Sequence, residues 1–199
     1  MEKLTEVERG FGEQTRVGGK RPVIAWAITG AGHFLSESVG VIGHISGLAT
    51  VDVFLSRAAA EVVGMYKVAG RLDEFASSVV IETDYSFPIT SKFSVGKYDA
   101  LVISPATGNT VAKCVHGVAD SLVSCMFAQA GKSRVPIVVL PTDVSGETAS
   151  AAPNGNTVMV YPRPLDLELT RKLGAIDGVT ALSSPDELCS CVERMLEKR

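Results

Sequence analysis

Residues 99–120 have the sequence DALVISPATGNTVAKCVHGVAD, which contains the two patterns that decide the fold. Residues 99–104 form a short apolar run that ends in a proline turn, as is typical of a strand buried on both faces. Beyond the turn, apolar residues recur every three or four positions, which predicts a helix that is capped by Asn109 and runs to about Gln129. A strand that leads through a tight turn into a helix is the repeating unit of an α/β fold.

The alternation of strand and helix patterns extends through most of the chain. Further strands are predicted at residues 23–29, 50–55, 78–82, 135–140, 157–161 and 178–182. Further helices are predicted at residues 35–45, 58–66 and 165–173 and from Ser184 onward, with loops at residues 88–96 and 143–156. Strands that alternate with helices form a mostly parallel sheet covered on both faces. We therefore predict a Rossmann-like, flavodoxin-like three-layer sandwich with a mostly parallel central sheet.

Length and composition indicate one globular domain. The 199 residues are 46% hydrophobic, and we assign residues 22–199 to a single domain preceded by a flexible N-terminal arm at residues 1–21. A net charge of −3 without any basic run argues against a nucleic-acid partner. The sequence has neither an apolar run long enough for a membrane span nor the apolar core of a signal peptide, so a cytoplasmic location is expected. The four cysteines have no spacing suited to zinc, so no metal site is expected.

Three loops with unusual residues follow predicted strands, and open parallel sheets bind ligands at the carboxyl ends of their strands. The first loop is Gly30-Ala31-Gly32, where glycine permits close approach of the backbone and the next helix presents free N–H groups to an anion. Leu35 stands where the dinucleotide fingerprint has its third glycine, and no acid closes the second strand. This loop therefore argues against NAD as the resident cofactor, and a plain strand-to-helix turn explains it equally well.

The second and third loops add hydroxyl groups and positive charge at the same edge of the sheet. Ser56 and Arg57 end the second predicted strand, where they suit either a phosphate or a helix cap with a solvated cation. The third loop offers hydroxyls and an amide at a helix N-terminus, where an anion gains about 0.3 to 2 kcal/mol from the helix dipole. Its residues are Thr107, Gly108, Asn109 and Thr110. A capped helix after a proline turn is the alternative explanation.

The third loop and its helix resemble the flavin-binding segment of a known family. SPATGNTVAKCVHGVAD is similar to that segment in the homo-oligomeric FMN flavoproteins, which include cysteine decarboxylases, phosphopantothenoylcysteine decarboxylase and flavin prenyltransferases. WAITGAGHFL and VFLSRAAAEVV resemble the family's other two FMN loops. Within the family, residues 23–143 most resemble archaeoflavoproteins and the dihydromethanopterin reductase (acceptor) group, and TVMVYPRPLDLELTRKLGAIDGV continues the likeness more weakly.

The resemblance implies FMN as the cofactor and a homo-oligomer, either a trimer or a multiple of trimers, with the flavin at a subunit boundary. The positions that match FMN contacts are Gly30, Ala31, Gly32, Ser56, Thr107, Gly108, Asn109 and Thr110, and Arg57 adds positive charge beside them. The implied activity is reduction of dihydromethanopterin to tetrahydromethanopterin by hydride from reduced FMN. The implied partners are a pterin substrate and an electron donor, either NAD(P)H or a redox protein.

Departures from the family pattern bear on the activity. The decarboxylases carry a histidine before the fourth strand and a Pro-x-Met-Asn segment after the fifth, whereas this chain has no histidine between His44 and His116 and continues from Pro141 as PTDVSGETA. A decarboxylase is therefore less favoured than a reductase. No cysteine lies between Cys125 and Cys189, so no iron–sulfur cluster is expected. A non-catalytic FMN electron carrier is the alternative to the reductase.

Two further side chains are candidates for contact with the substrate. His33 follows the glycine turn, where it is placed to contact a flavin or a substrate, although a capping or surface role explains it as well. Asp143 follows the fifth strand and is predicted either to bind a polar substrate or to pair with Arg57. The sequence shows no pattern of a dedicated acid or base, which suits a flavin reductase.

Overall fold

A parallel sheet forms the centre of the computed structural model, which describes residues 20–83 and 87–197. The strands among these residues are, in chain order, β1 (Val23–Ile28), β2 (Thr50–Leu55), β3 (Ser78–Ile81), β4 (Ala100–Ala106), β5 (Ile137–Pro141), β6 (Thr148–Ala151), β7 (Thr157–Val160) and β8 (Val179–Ala181). Six of them form the sheet in the order β3-β2-β1-β4-β5-β8, and every neighbouring pair is parallel. The predicted parallel sheet is confirmed.

Helices cover both faces of this sheet. In chain order the described residues contain α1 (Leu35–Ile45), α2 (Arg57–Met65), α3 (Ala69–Phe75), α4 (Ser91–Ser94), α5 (Gly108–His116), α6 (Leu122–Lys132), α7 (Pro164–Gly174) and α8 (Asp186–Glu197), with a 3-10 turn at Phe87–Thr90. Side chains alternate across a strand, so Trp26 of β1 packs in the core with α1, α2, α3 and α8, while Ala25 and Ala27 pack in the core with α4 to α7. This arrangement confirms the three-layer sandwich.

The direction of strand progression reverses between β1 and β4. These two strands are neighbours in the sheet although the chain forms β2 and β3 between them. The loop after β1 leads to α1 on one face, and the loop after β4 leads to α5 on the other face. The two loops therefore diverge and leave a crevice at the carboxyl edge, which is where open α/β sheets bind ligands.

The helix predicted from Asn109 to Gln129 is wrong in one respect, because the structure divides it into α5 and α6. Gly117 ends α5 in the left-handed conformation, with φ of 69°. Ser121 then caps α6 through a reciprocal pair of hydrogen bonds with Ser124. The apolar stripe continues across the break and hides it from a periodicity argument, whereas glycine just beyond a helix end is a strong stop signal.

Two segments predicted as loops contain regular structure. Within residues 143–156, β6 pairs antiparallel with β7, so the predicted strand at residues 157–161 belongs to a separate two-stranded hairpin. Residues 88–96 contain the end of the 3-10 turn and α4, and α3 is an additional helix that was not predicted. The sequence TASA of β6 has small residues and no strong alternation, so its strand pairing is a tertiary effect.

The N-terminal prediction falls largely outside the described residues. Of the predicted flexible arm at residues 1–21, only residues 20 and 21 are described. Arg21 donates hydrogen bonds to the carbonyl oxygens of Ser46 and Ala49, which attaches it to the connection between α1 and β2. Among the described residues, no helix has both the length and the apolar character needed to cross a membrane.

Candidate functional site

A short hydrogen-bond network joins the tips of β1 and β4. Thr29 donates its backbone N–H and its hydroxyl to the carbonyl oxygen of Pro105, at 3.1 and 2.9 Å. The backbone N–H of Thr107 donates to the Thr29 hydroxyl oxygen at 2.8 Å. Because Thr29 is buried, these bonds hold the first and third predicted loops side by side.

Both glycines of the first loop are required by neighbouring parts of the same chain. A Cβ on Gly30 would lie 2.5 Å from the Cβ of Ala58, and a Cβ on Gly32 would lie 2.0 Å from the hydroxyl oxygen of Tyr66. Carbon atoms in favourable contact are about 3.5 to 4.0 Å apart. Any side chain at either position therefore displaces α2 or Tyr66.

Thr107 is the N-cap of α5, which corrects the predicted cap at Asn109. The Thr107 side-chain oxygen accepts from the backbone N–H of Thr110 at 3.3 Å, and the two hydroxyl oxygens lie 3.1 Å apart. The helix begins at Gly108, so the extended backbone that a cap needs falls on Thr107. Asn109 is exposed in the first turn, and the cap does not use its amide.

The second loop shares its helix N-terminus with a carboxylate that sequence analysis missed. Ser56 caps α2 by accepting from the N–H of Ala59 at 3.1 Å. Glu82, just after β3, accepts from the N–H of Arg57 at 3.2 Å and from the N–H of Leu122 at the start of α6. Two helix dipoles stabilise this carboxylate. An anion bound at Ser56 and Arg57 therefore competes with Glu82.

A cavity of about 390 Å³ opens between the glycine turn, the tip of β5 and the β6–β7 hairpin. Its volume lies in the range of small-ligand pockets. The hydroxyl of Tyr66 donates to the carbonyl oxygen of Ala151 at 2.7 Å and thereby ties the end of α2 to the hairpin. His33 and Asp143, the two candidate substrate residues, both line the cavity. The remaining lining residues are Ala31, Gly32, Thr142, Thr148, Ser150, Ala152, Pro153, Val158, Val160 and Pro162.

His33 contributes a buried ring nitrogen. Its Nε2 atom has no hydrogen-bond partner within the described part of the chain, and its ring contacts that of Phe34, with centroids 3.7 Å apart and planes tilted by 34°. Burial lowers the pKa of His33, and the carboxylates of Glu37 and Asp143 partly offset this effect. The neutral imidazole offers one donor or one acceptor at Nε2 to a bound ligand. His33 does not cap α1, because Phe34 occupies that position.

Asp143 extends from the tip of β5 to the start of α5. Its Oδ2 atom lies 2.8 Å from the position of a Cβ on Gly108 and accepts from the Thr142 hydroxyl at 3.3 Å. Burial raises the pKa of Asp143, and the negative charge of Asp166 raises it further, while Thr142 and the positive charge of Arg163 oppose the rise. The net effect favours the protonated carboxyl more than in an ordinary aspartate.

An ion pair lies behind Asp143. Arg163 and Asp166 are joined at 2.7 Å, and the Asp166 carboxylate also accepts from the backbone N–H of Arg163 at 3.1 Å. The hydroxyl of Thr170 on α7 donates to the carbonyl oxygen of Asp143 at 2.8 Å. These contacts hold the backbone and the charge environment of Asp143 in place.

All three predicted loops lie at the carboxyl edge of adjacent strands. The N–H of Ser56 donates to the carbonyl of Ile28 at 3.1 Å, which places the second loop beside the glycine turn, and the Thr29 network places the third loop on the other side. The site residue that sequence reasoning missed is Glu82. Its partners lie at least 25 residues away in the chain, so no local pattern reveals it.

A family model described as Flavoprotein matches residues 12–197 of the chain. An uncharacterised protein of Methanocaldococcus jannaschii is 32% identical over 178 residues, which cover 87% of this chain and 96% of that protein. A dihydromethanopterin reductase (acceptor) of the same organism is 46% identical over 130 residues, which cover 60% of this chain and 53% of the reductase. The matched part of the chain thus spans about half the length of that reductase.

A solved structure with the same fold is DmrB of Burkholderia xenovorans in complex with FMN, described as a cubic protein cage for redox transfer. It is 34% identical in sequence, and the match covers 89% of this chain and 97% of DmrB. The TM-score of 0.79 confirms the α/β architecture derived above.

Proposed function

The chain belongs to the flavoprotein family, and we propose that it is an FMN-dependent oxidoreductase that reduces a dihydropterin of the dihydromethanopterin type. The observation that carries the proposal is the cavity beside the glycine turn, where Asp143, biased toward its protonated form, and His33 line the same space. The likeness to a dihydromethanopterin reductase and to the FMN complex of DmrB supports the substrate class and the cofactor.

The strand-tip loops fit FMN. The hydroxyls of Thr107 and Thr110 and the exposed amide of Asn109 lie at the N-terminus of α5, where the helix dipole favours a phosphate or a flavin oxygen. The unpartnered Nε2 of His33 offers a polar contact that a bound ligand would satisfy. Bound FMN supplies the hydride chemistry, and the protein supplies placement and polarity near the ring.

Asp143 is suited to provide the proton that this reaction needs. Reduction of the carbon–nitrogen double bond of a dihydropterin adds a hydride to carbon and a proton to nitrogen. Burial and the charge of Asp166 hold the pKa of Asp143 above its usual range, which favours a carboxyl that donates a proton. After the transfer, the Thr142 hydroxyl and the N-terminus of α5 stabilise the carboxylate, and solvent in the open cavity restores the proton.

The direct test is anaerobic mixing of the reduced, FMN-loaded protein with dihydromethanopterin. We expect the absorbance of oxidised flavin to return as tetrahydromethanopterin forms, with one pterin reduced per flavin oxidised. A small one-electron acceptor serves as the control for a competent flavin. If that acceptor oxidises the flavin and the dihydropterin does not, the proposed substrate is wrong.

A non-catalytic electron carrier is the second candidate. The β6–β7 hairpin and the residues after it expose apolar side chains beside the cavity, namely Val158, Met159 and Tyr161. Several exposed apolar side chains on one hairpin suit contact with another protein. A carrier would exchange electrons with a ferredoxin-type protein, and it would show no turnover with any pterin.

The same exposed hairpin supports a homo-oligomer. The description of DmrB as a cubic cage, together with the hairpin's apolar side chains, favours a trimer or a multiple of trimers for this chain as well. Light scattering of the purified protein measures the subunit number. A monomer over the whole concentration range would exclude this assembly.

A further inference from the structure

Three side chains that can bind a metal lie together on the surface, and none of them lines the cavity. His44 is in the last turn of α1, and Cys189 and Glu193 are four residues apart on one face of α8. One ligand atom from each of these residues lies within 4.8 Å of the other two. Since His44 lies nine residues beyond Leu35, the first residue of α1, it is about 13.5 Å along the helix axis from the start of α1.

The three side chains already lie close enough together for a cation to bind between them. The Nε2 atom of His44 lies 2.7 Å from a carboxylate oxygen of Glu193, a pairing that already brings two ligands together. The third member is the Cys189 thiol, whose ligand atom lies within 4.8 Å of those of His44 and Glu193. A divalent cation at this position is attracted to the carboxylate and stabilises the thiolate.

The exposure of the group allows it to close around an ion. The side chains of His44 and Glu193 are 55% and 37% exposed, and Cys189 is half-buried, so an ion reaches them directly from solvent. Zinc takes nitrogen, sulfur and oxygen ligands at about 2.0 to 2.3 Å in a tetrahedron. Ligand atoms must then lie roughly 3.3 to 3.6 Å apart, so side-chain shifts on the order of an ångström complete the site.

We propose that His44, Cys189 and Glu193 bind one Zn²⁺ ion per chain, with water as the fourth ligand. The mixed sulfur, nitrogen and oxygen set suits zinc better than the hard cations Mg²⁺ and Ca²⁺, which prefer oxygen alone. The ion joins the end of α1 to the C-terminal helix, elements that already pack against each other. The ion stabilises the folded chain, because His44 lies 145 and 149 positions from Cys189 and Glu193 in the sequence and only the fold brings the three together.

The test is a zinc titration of metal-stripped, FMN-loaded protein against a chromophoric chelator, followed by substitution with Co²⁺. We expect one tight site per chain, and a thiolate-to-cobalt absorption band in the near ultraviolet. Cys189→Ser should abolish that band, and Cys189→Ser and Glu193→Gln should each weaken zinc binding by about tenfold or more, since even outer-shell changes cost about that much. Cys125→Ser removes a half-buried thiol elsewhere and should leave both readouts unchanged.

Thermal unfolding provides the second readout. At the same zinc concentration, zinc should raise the Tm of the unsubstituted protein and of Cys125→Ser, and should raise the Tm of Cys189→Ser clearly less. Equal Tm values of these proteins in the absence of zinc show that the substitutions preserve the fold. The proposal is overturned if the unsubstituted protein shows no saturable zinc binding. It is also overturned if Cys189→Ser binds zinc as tightly as the unsubstituted protein does.

Discussion

Tyr66 occupies the space that a side chain at Gly32 would need. A Cβ on Gly32 would lie 2.0 Å from the Tyr66 hydroxyl oxygen, which in turn donates to the carbonyl of Ala151. The Tyr66 side chain, at the end of α2, therefore contacts both the glycine turn and the β6–β7 hairpin. Position 32 therefore requires glycine because Tyr66 fills the adjacent space, and this requirement does not depend on which ligand the turn contacts.

This relationship predicts that most of the destabilisation caused by Gly32→Ala depends on Tyr66. Overpacking costs about 1 to 3 kcal/mol, so we expect a loss of that size in the free energy of unfolding, measured with urea. Tyr66→Phe removes only the hydrogen bond and should cost about 0.5 to 1.5 kcal/mol. In a Tyr66→Ala background, Gly32→Ala should cost clearly less than in the unsubstituted protein. An equal cost in both backgrounds would contradict the steric explanation.

Substitutions of Thr107 and Asn109 should distinguish the residue that stabilises α5 from the residue that contacts the ligand. Thr107→Ala removes the N-cap and should lower the free energy of unfolding by about 1 kcal/mol, while Thr107→Ser keeps the cap and should cost less. Asn109→Ala should leave stability within about 0.5 kcal/mol, since the side chain is exposed, and should weaken FMN binding. Stability loss from Asn109→Ala as large as that from Thr107→Ala would restore Asn109 as the cap.

The pH dependence of the proposed pterin reduction should follow the protonation state of Asp143. A donor must be protonated, so the rate should be highest at low pH and fall as pH rises through the raised pKa of Asp143. Asp143→Asn should remove this fall and slow pterin reduction by about 10² to 10⁴. Oxidation of the flavin by ferricyanide, which takes electrons without a proton, is the control and should stay unchanged. If Asp143→Asn keeps the original pH profile, another group supplies the proton.

Asp52 should make stability depend on pH in the acid range. Its buried carboxylate is bonded to Lys97 at 2.5 Å, Ser78 at 2.8 Å and Tyr98 at 3.1 Å. Burial opposes its ionisation, but the bonds from Lys97 and Ser78, with smaller contributions, outweigh burial and lower the pKa of Asp52. Because the folded pKa is below the unfolded one, the stabilisation is present above the unfolded pKa and is lost as pH falls through the folded pKa.

The measurement for Asp52 is urea unfolding from neutral pH into the acid range. Asp52→Asn should lower the free energy of unfolding at neutral pH by about 1 to 3 kcal/mol, because it weakens bonds to Lys97 and Tyr98. As pH falls into the acid range, the free energy of unfolding of the variant should also decrease less than that of the unsubstituted protein. A variant as stable as the unsubstituted protein at neutral pH would show that the network contributes nothing.

The sheet and the position of the loops were predictable because their signals are local. β1 and β4 are continuous apolar runs, and each is followed at once by small residues and a helix pattern. Chain topology then brings such loops to one edge of a parallel sheet, so the first and third loops could be placed together without knowledge of any contact. The same argument placed His33 and Asp143 near them.

The features that were missed depend on contacts between distant parts of the chain. β6 is a strand because β7 pairs with it, and its own sequence TASA does not indicate one. Glu82 has the position of an ordinary loop carboxylate in the sequence, and only the fold brings it to two helix N-termini. Tyr66 lies in a helical pattern that helix packing and a pocket wall explain equally well, and only the fold places it in the cavity wall.

FMN binding by the apoprotein tests the central claim most directly. The measurement is a calorimetric titration of the flavin-free protein with FMN, run in parallel with riboflavin, which lacks the phosphate. We predict saturation at one FMN per chain and weaker binding of riboflavin, since the helix N-termini at the strand tips favour an anion. No saturable binding of FMN, or equal affinity for riboflavin, would contradict a phosphate site on these loops.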